Sequence, residues 1–411
     1  MAEHSMNLRE WLRKQLEEAD SDLLRDMVQT FAEQLMDAQV EGMCGAGYRE
    51  RSEERSNSRN GFRERRWDSR VGTIDLAIPK LRNGSYFPSW LLEPRQRAER
   101  ALIQVVAQSY LEGVSSRKVT KLVKKLGVEG ISRSQASRMA KELDEDVAIF
   151  RTRTLEGGPY TYIWVDAHAQ KVRERGRVVS VATVVAIGVN AEGAREVLGF
   201  DVLTEESEAS WSAFLRELVE RGLTGVQLVI SDAHKGLVNA IARELPGSGW
   251  QRCRTHFMRN LLSRIPKSAQ KEVGDKIRSI FAQPDAHSVR DQYTRIAAEL
   301  EASYSEAATL LTEAQEELLA FASFPKEHWV KIWSNNPLER LNREIRRRTD
   351  VVGIFPGRPA GIRLIGALLV EQNDEWIAMR RYMSRESLVR ARILVVDGER
   401  ETSVAEMVAV G

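Results

Sequence analysis

The chain has 411 residues, is 42% hydrophobic and 29% charged, and carries a formal net charge of +2, a balance ordinary for a soluble globular protein with room for two or three domains. Its two cysteines, Cys44 and Cys253, exclude a disulfide framework and suit a reducing compartment. The opening MAEHSMNLREWLRKQ lacks a signal peptide's apolar core, and the longest apolar run, near Val178 to Val189, is too short to span a bilayer, so a cytoplasmic protein without membrane contact is expected.

From Met6 to Met43 the pattern is helical. Leu24, Val28, Phe31, Leu35 and Ala38 recur at spacings of three and four and predict its packing face. YRERSEERSNSRNGFRERRW, Tyr48 to Trp67, breaks that pattern and reads as a solvated loop; eight Arg against five acids between Arg49 and Arg70 leave a net of +3. Alternation in GTIDLAIPKL, Gly72 to Leu81, predicts one or two short strands. Residues 1–95 are thus expected as an N-terminal helical region with short strands.

Ala98 to Tyr110 is helical again. Val119, Leu122, Val123 and Leu126 then make one apolar helical face, Gly127 to Gly130 a turn, and Ser132 a cap for a second helix ending near Leu143. Within residues 96–150 this pair is a helix-turn-helix candidate. Eight Lys or Arg against two Glu between Ser115 and Leu143 give it a net of +6. Arg117, Lys118 and Lys121, with Arg133, Ser134, Gln135 and Arg138 where a recognition helix would meet base edges, are the candidate DNA-binding residues. A basic solvated hairpin without DNA accounts for the same pattern.

Apolar, β-branched segments follow at Tyr160 to Val165, Val178 to Val189 and Glu196 to Leu203. After them come a helix near Ser207 to Arg221, a strand at Val226 to Asp232, a helix near His234 to Glu244 and a strand at Trp250 to Cys253. That order predicts a mixed sheet flanked by helices, formed from residues 151–256 and 330–385. Residues 257–329, broken by Pro266, Pro284 and Pro325, show only helical spacing and are expected as an all-helical insertion. Helices near Pro337 to Thr349 and Ala360 to Tyr382 close the core, ahead of a partly disordered tail, 386–411.

Asp166 directly follows Ile163, Trp164 and Val165, and Asp232 follows Val229 and Ile230 in LVISDAHKG. Both carboxylates are expected at the carboxyl ends of apolar strands, where open sheets assemble sites. Side by side they repel unless one is protonated or a divalent cation lies between them. Mg²⁺, hard and oxygen-liganded, is the natural occupant. SNNPLERLNREIRRRTD offers a third acid, yet Asn336 as N-cap, Pro337 at N1 and Glu339 at N3 also satisfy helix-start chemistry alone. Glu339 and Glu344 are not separated on these grounds. Arg340, Arg343, Arg346, Arg347 and Arg348 wrap the same helix, as suits a phosphate backbone or a solvated face. CRTH places Cys253 three residues before His256; without a second Cys/His pair nearby zinc is rejected. His256 is expected beside the site, Cys253 in strand packing next to it, and His234 at a helix start.

The ordered set DAHAQKVRE, SDAHKGL, CRTHFMRNLL, NNPLERLNREIRRRTDVVGIFP and LLVEQNDEW resembles the Mutator-type transposases of bacterial insertion sequences, over nearly the whole chain. These are DDE recombinases with an RNase H-like catalytic fold. The resemblance implies Asp166, Asp232 and Glu339 as a catalytic triad holding two Mg²⁺ or Mn²⁺ ions, with Lys171, Arg343, His256 and Cys253 as neighbours. It implies double-stranded DNA as partner: terminal inverted repeats, bound chiefly by residues up to about 150 and by Arg340, Arg346 and Arg347, and a target duplex. Water cuts the 3′ ends, and each 3′-OH then attacks target DNA, without a protein–DNA intermediate or a nucleotide cofactor. A homodimer or larger assembly on DNA, associated with the nucleoid, is implied as well. One departure stands out: His168, Ala169 and Gln170 occupy positions where relatives often carry apolar or aromatic residues. A metal-dependent nuclease or resolvase of the same fold, or a non-catalytic DNA-binding protein, would share these residues.

Overall fold

The computed structural model describes residues 21–46, 55–69, 72–84, 96–111, 132–378 and 381–393, with the single residues 50, 52, 86 and 88. The chain forms two compact units, Met1–Pro94 with Ala378–Arg380, and Arg95–Ile377 with Arg381–Gly411.

In the first unit a helix, α1 (Ser21–Cys44), packs on an antiparallel hairpin of β1 (Arg59–Ser69) and β2 (Gly72–Leu81). Ile74, Leu76 and Ile78 alternate onto one face of the hairpin and bury against Ala32, Met36, Val40 and Cys44 of α1. The buried row therefore recurs every four residues and differs from the expected stripe: Phe31 and Leu35 are exposed. A two-stranded ribbon covers only a narrow strip of helix, and the row with Ala and Cys at its ends lets the backbones approach. The charged segment expected as a loop is partly strand, since Arg65 pairs with Leu76 and Trp67 with Ile74. Arg59 within it is not solvated but bonds Asp37 and Glu41 at 2.7 and 3.1 Å.

The second unit is built on a five-stranded sheet of order β5-β4-β3-β6-β7. Its strands are β3 (Tyr162–Glu174), β4 (Arg177–Val189), β5 (Arg195–Leu203), β6 (Leu228–Ser231) and β7 (Gly249–Arg252). The first three in chain order pair antiparallel; β3–β6 and β6–β7 pair parallel. Helices α2 (Gln96–Leu111) and α3 (Arg133–Thr152) precede the sheet, and α4 (Glu208–Glu220) and α5 (Lys235–Glu244) connect its parallel part. Ile163, Val165, Val184 and Val229 bury against Trp211 and Leu215 of α4 and Leu237 and Ile241 of α5. Tyr162, Trp164, Ile187, Leu228 and Ile230 face the opposite way, into a larger core. Apolar burial on both faces explains why these strands read as unbroken hydrophobic runs.

Those larger-core residues meet the helical insertion: α6 (Arg254–Leu262), α7 (Gln270–Ile280), α8 (Ala286–Glu301), α9 (Ser305–Glu313), α10 (Gln315–Leu319) and α11 (Lys326–Ile332). The closing helices α12 (Asn336–Val352) and α13 (Arg358–Ala378) join the same core. Residues 386–393, the start of the expected tail, are helical and bury Leu388 and Ala391. Among the described residues no helix is long and apolar enough to cross a membrane.

Two expectations change here. Strand β3 does not stop at Val165 but runs to Glu174, because a two-residue turn with positive φ at Arg175 (47°) and Gly176 (79°) returns the chain into β4 in register. Parallel pairing with β6 covers only Tyr162 to Trp164, so Asp166 lies inside a strand yet beyond the end of its neighbour. Helix α3, capped by Ser132 as expected, runs nine residues past Leu143 because Val147 and Phe150 continue its buried stripe into the core. The first helix of the expected pair, with Arg117, Lys118 and Lys121, lies outside the described residues.

Helix α13 crosses this region at Gly366, where an added Cβ would lie 2.5 Å from Val147 Cγ1 and 2.8 Å from the Phe200 ring. Gly366→Ala is therefore expected to destabilise the protein by about 1–3 kcal/mol through overpacking. Urea denaturation measures it; an unchanged midpoint would mean α3 and α13 separate without cost.

Candidate active site

Alternation along β3 sends Tyr162, Trp164 and Asp166 to the same face; along β6 it sends Leu228 and Ile230 there, and Asp232 follows directly after the strand ends at Ser231. Since Trp164 pairs with Ile230, continuing that register brings Asp166 level with Asp232. The two carboxylates interact. Asp166 is pushed up to about 6 from an ordinary 3.8, first by burial, against the pull of His256, and further by Asp232.

His256 stands in the first turn of α6, delivered there because Cys253 continues the ladder past β7 through its N–H to Ser231 O at 2.7 Å. It is pushed up to about 9, first by a hydrogen bond with Cys253, then by Asp166 and Asp232. A cationic imidazole thus faces the acidic pair at neutral pH. Cys253 is buried, as expected for strand packing. His234 caps α5, accepting from Leu237 N.

Helix α12 covers this face of β3. Its N-cap is Asn335 rather than Asn336, and the Asn335 side chain makes no capping bond. Instead Asn335 Nδ2 donates to Val165 O at 3.2 Å, and its backbone N–H points to Cys253 Sγ at 3.3 Å. About two turns into the helix, Asn342 Nδ2 donates to Asp166 Oδ2 at 2.6 Å. Glu339, three residues earlier, and Arg346, four residues later, flank Asn342 on this side of the helix. Glu339 is half-buried. Gly353, with φ 76°, ends the helix.

The structure thus brings Asp166, Asp232 and His256 together, and adds Asn335 and Asn342, which the sequence reading passed over. Their signal was spacing: Asn342 is one turn from Glu339. Glu206, before α4, was also passed over; it is held above the ordinary carboxylate range first by partial burial and then, against His234, by Asp232 and Asp166. Lys171 is not brought in, because an odd offset from Asp166 along a regular strand puts it on the opposite face. Arg343, Arg340 and Arg347 are exposed on α12, Arg347 pairing with Glu344 at 3.2 Å. Arg348 is buried and bonds Glu344 at 2.8 Å. Arg133, Ser134, Gln135 and Arg138 are exposed at the start of α3, where Gln135 completes a capping box with Ser132.

Among the described residues no three His, Cys, Asp or Glu side chains stand close enough together to hold a metal ion. The donor chemistry of the aspartate pair nevertheless fits a hard divalent cation: two carboxylates close enough to interact, with Asp166 half-buried.

A mixed sheet with paired acids on its covered face defines a class of α/β protein with a carboxylate site. The family model for Mutator-family transposases matches residues 1–379. The transposase for insertion sequence element IS1081 of Mycobacterium tuberculosis is 56% identical over 396 residues, 96% of this chain and 95% of that protein. The transposase for element IS256 in transposon Tn4001 of Staphylococcus aureus is 38% identical over 366 residues, covering 88% and 93%. That for element ISRM5 of Rhizobium meliloti is 37% identical over 370 residues, covering 90% and 92%. The chain belongs to the Mutator family of transposases.

Both shifted groups make stability fall as pH rises, in different windows. Between about pH 4 and 6 folded Asp166 keeps a proton that the unfolded chain has released, so its contribution to stability falls as pH rises and is level above about 6. His256 binds its proton more tightly when folded, so its contribution is full below 6.5 and is lost as pH rises through about 9. Asp166→Asn is expected to remove the acid-side slope and to raise stability at pH 7 by about 1–2 kcal/mol. Urea melts between pH 4 and 8 test this; a mutant no more stable than wild type at pH 7 overturns it.

Proposed function

We propose that this protein is a DDE transposase of an insertion sequence, with an RNase H-like core, that cuts and joins DNA ends at Asp166 and Asp232. The observation that carries the reading is the interaction between these two acids, Asp166 on β3 and Asp232 just past the end of β6, with α12 packed on β3 and carrying Glu339 in its first turn. A sheet running antiparallel through β5, β4 and β3 and parallel through β6 and β7 supports the RNase H-like part. Relatives named as insertion-sequence transposases, similar over almost their full length, support the activity.

Asp166 and Asp232 would hold Mg²⁺ or Mn²⁺, with Glu339 as the further carboxylate of a two-ion set. When bound, such ions activate an oxygen nucleophile and neutralise charge on the phosphodiester. Asn342 fixes Asp166 as an acceptor through its 2.6 Å bond. His256, cationic at neutral pH, offsets the acidic pair and attracts a phosphate to it.

The reaction has two balanced steps. A water oxygen bonds to phosphorus as the P–O3′ bond breaks, leaving a 3′-OH at the transposon end. That oxygen then attacks a target phosphorus and displaces the target's own O3′. No protein atom forms a bond to DNA in either step.

Exposed Arg340 and Arg343 on α12 are assigned to the phosphate backbone near the site. Arg133, Ser134 and Arg138, together with Arg117, Lys118 and Lys121, are assigned to the terminal inverted repeats. Affinity from such contacts falls steeply with salt. Joining two ends at one target calls for a homodimer or larger assembly on the DNA.

The test incubates full-length protein with labelled terminal-repeat duplex, a second duplex and Mg²⁺ or Mn²⁺, beside Asp166→Asn and Glu339→Gln. Losing a ligand that supplies several kcal/mol of charge stabilisation should slow cutting and joining roughly 10³-fold or more. Affinity for the ends should stay within about twofold, because binding rests on the phosphate contacts. Cutting retained by Asp166→Asn overturns the proposal. End binding by wild type without any cutting would instead favour a DNA-binding protein.

A further inference from the structure

Two buried polar side chains beside Asp166 remain to be explained. Asn342 is only 5% exposed; Nδ2 donates to Asp166 Oδ2 at 2.6 Å, while Oδ1 is buried without a hydrogen-bond partner. His168 is only 4% exposed and lies two residues beyond Asp166, on the same face of β3. Its Nδ1 is 3.4 Å from Arg346 Nη2, and its Nε2 is buried without a partner. The Asn342 and His168 side chains also interact with each other.

Donor chemistry gives this group one direction. A guanidinium only donates, so His168 Nδ1 accepts and the ring hydrogen sits on Nε2. That N–H matches the open acceptor on Asn342, Oδ1. Were Oδ1 to accept from it, the Asn342 amide could not flip, and its N–H side would stay turned to the carboxylate. The spacing agrees. Asn342 and Arg346 are four residues apart on a helix, about 6 Å, and Asp166 and His168 are two apart on a strand, about 6.6 Å. Helix and strand therefore meet in step at two adjacent points.

We propose that Asn342 is a positioning residue for Asp166, oriented in its turn by His168, so that Arg346, His168, Asn342 and Asp166 form one donor-to-acceptor line that leaves Oδ1 of Asp166 as the oxygen presented to the cation. The inference rests on the functional reading above, which makes Asp166 a ligand. It assigns work to a histidine at a position where the family resemblance expects an apolar or aromatic residue, and to an asparagine that touches a ligand without being one.

Mn²⁺ binding to the full-length protein, followed by electron paramagnetic resonance of the free ion, tests the line directly. The variants are Asp166→Asn, Asn342→Leu, His168→Phe and His168→Gln. Losing the partner that orients a ligand typically costs 10–100-fold in metal affinity or activity, and about that loss is expected for Asn342→Leu in both Mn²⁺ affinity and end cleavage. Affinity for the terminal repeats should not change. His168→Phe should weaken Mn²⁺ binding in the same direction. His168→Gln, whose amide can still donate to Asn342, should recover part of that loss, which a merely space-filling histidine would not show.

Thermal melts establish which variants are folded. Should Asn342→Leu fail to fold, the His168 pair carries the test, because it leaves the Asn342–Asp166 bond in place. Wild-type Mn²⁺ binding that is lost in Asp166→Asn but untouched in Asn342→Leu, or equal in His168→Phe and His168→Gln, overturns this inference alone. No Asp166-dependent Mn²⁺ binding in wild type overturns the functional reading and this inference with it.

Discussion

Asp166 is a carboxylate on the covered face of a central strand, and its burial sets the terms for everything near it. A charge in such a place is costly unless hydrogen bonds and opposite charge offset the lost water. Here the offset is partial: Asn342 donates to it and His256 attracts it, yet the carboxyl still holds its proton to about pH 6. A purely structural aspartate would be paired until it ionised easily. One left short of compensation, next to a second acid, is the condition in which a bound cation stabilises the protein most.

That condition depends on strand lengths. Were β6 as long as β3, Asp166 would face a ladder partner instead of an open end. With pairing confined to Tyr162 through Trp164, the sheet stops supplying hydrogen bonds to β3 on that side one residue before Val165. Asn335 takes over, donating to Val165 O at 3.2 Å. The first backbone acceptor that β6 leaves open is thereby satisfied by the start of α12, so the edge that exposes Asp166 also docks the helix that brings Glu339.

Much of this was legible in the sequence. Strands β4 and β5 and helices α4 and α5 lie within two residues of their expected bounds, because β-branched runs and helix caps are local signals. The closeness of Asp166 and Asp232 was legible too, since each comes just after an apolar run that reads as a strand. Strand β1 was missed because its charges outweigh Phe62 and Trp67, and because a strand lying on one helix needs few apolar residues. The length of β3 past Asp166 was missed because that stretch is largely polar, with Val172 as its one large apolar residue, and pairs with β4 throughout. The asparagines were missed for another reason. Asn335 and Asn336 are equally good helix starters, and only the tertiary partner of Asn335, a carbonyl some 170 residues away, decides which one caps.

Long-range dependence also governs Glu339, the third acid of the proposed set. Asp166 and Asp232 are placed by sheet register, but Glu339 lies beyond the whole helical insertion. The two ends of that insertion are joined: Arg254 N–H donates to Trp333 O at 3.0 Å, Arg254 lies over the Trp333 ring at 4.2 Å, and Asn335 N–H reaches Cys253. The insertion is therefore a closed loop that leaves and re-enters the fold at one point, and closing so long a loop costs little more entropy than closing a short one. Its apolar helices are continuous with the core under Tyr162 and Trp164, so that closure is held by burial and not by these hydrogen bonds alone. Position along the chain is thus a poor guide to this site. Cys253 and Asn335 are neighbours in space because the intervening segment folds back on itself, and α12 inherits its register on β3 from that junction.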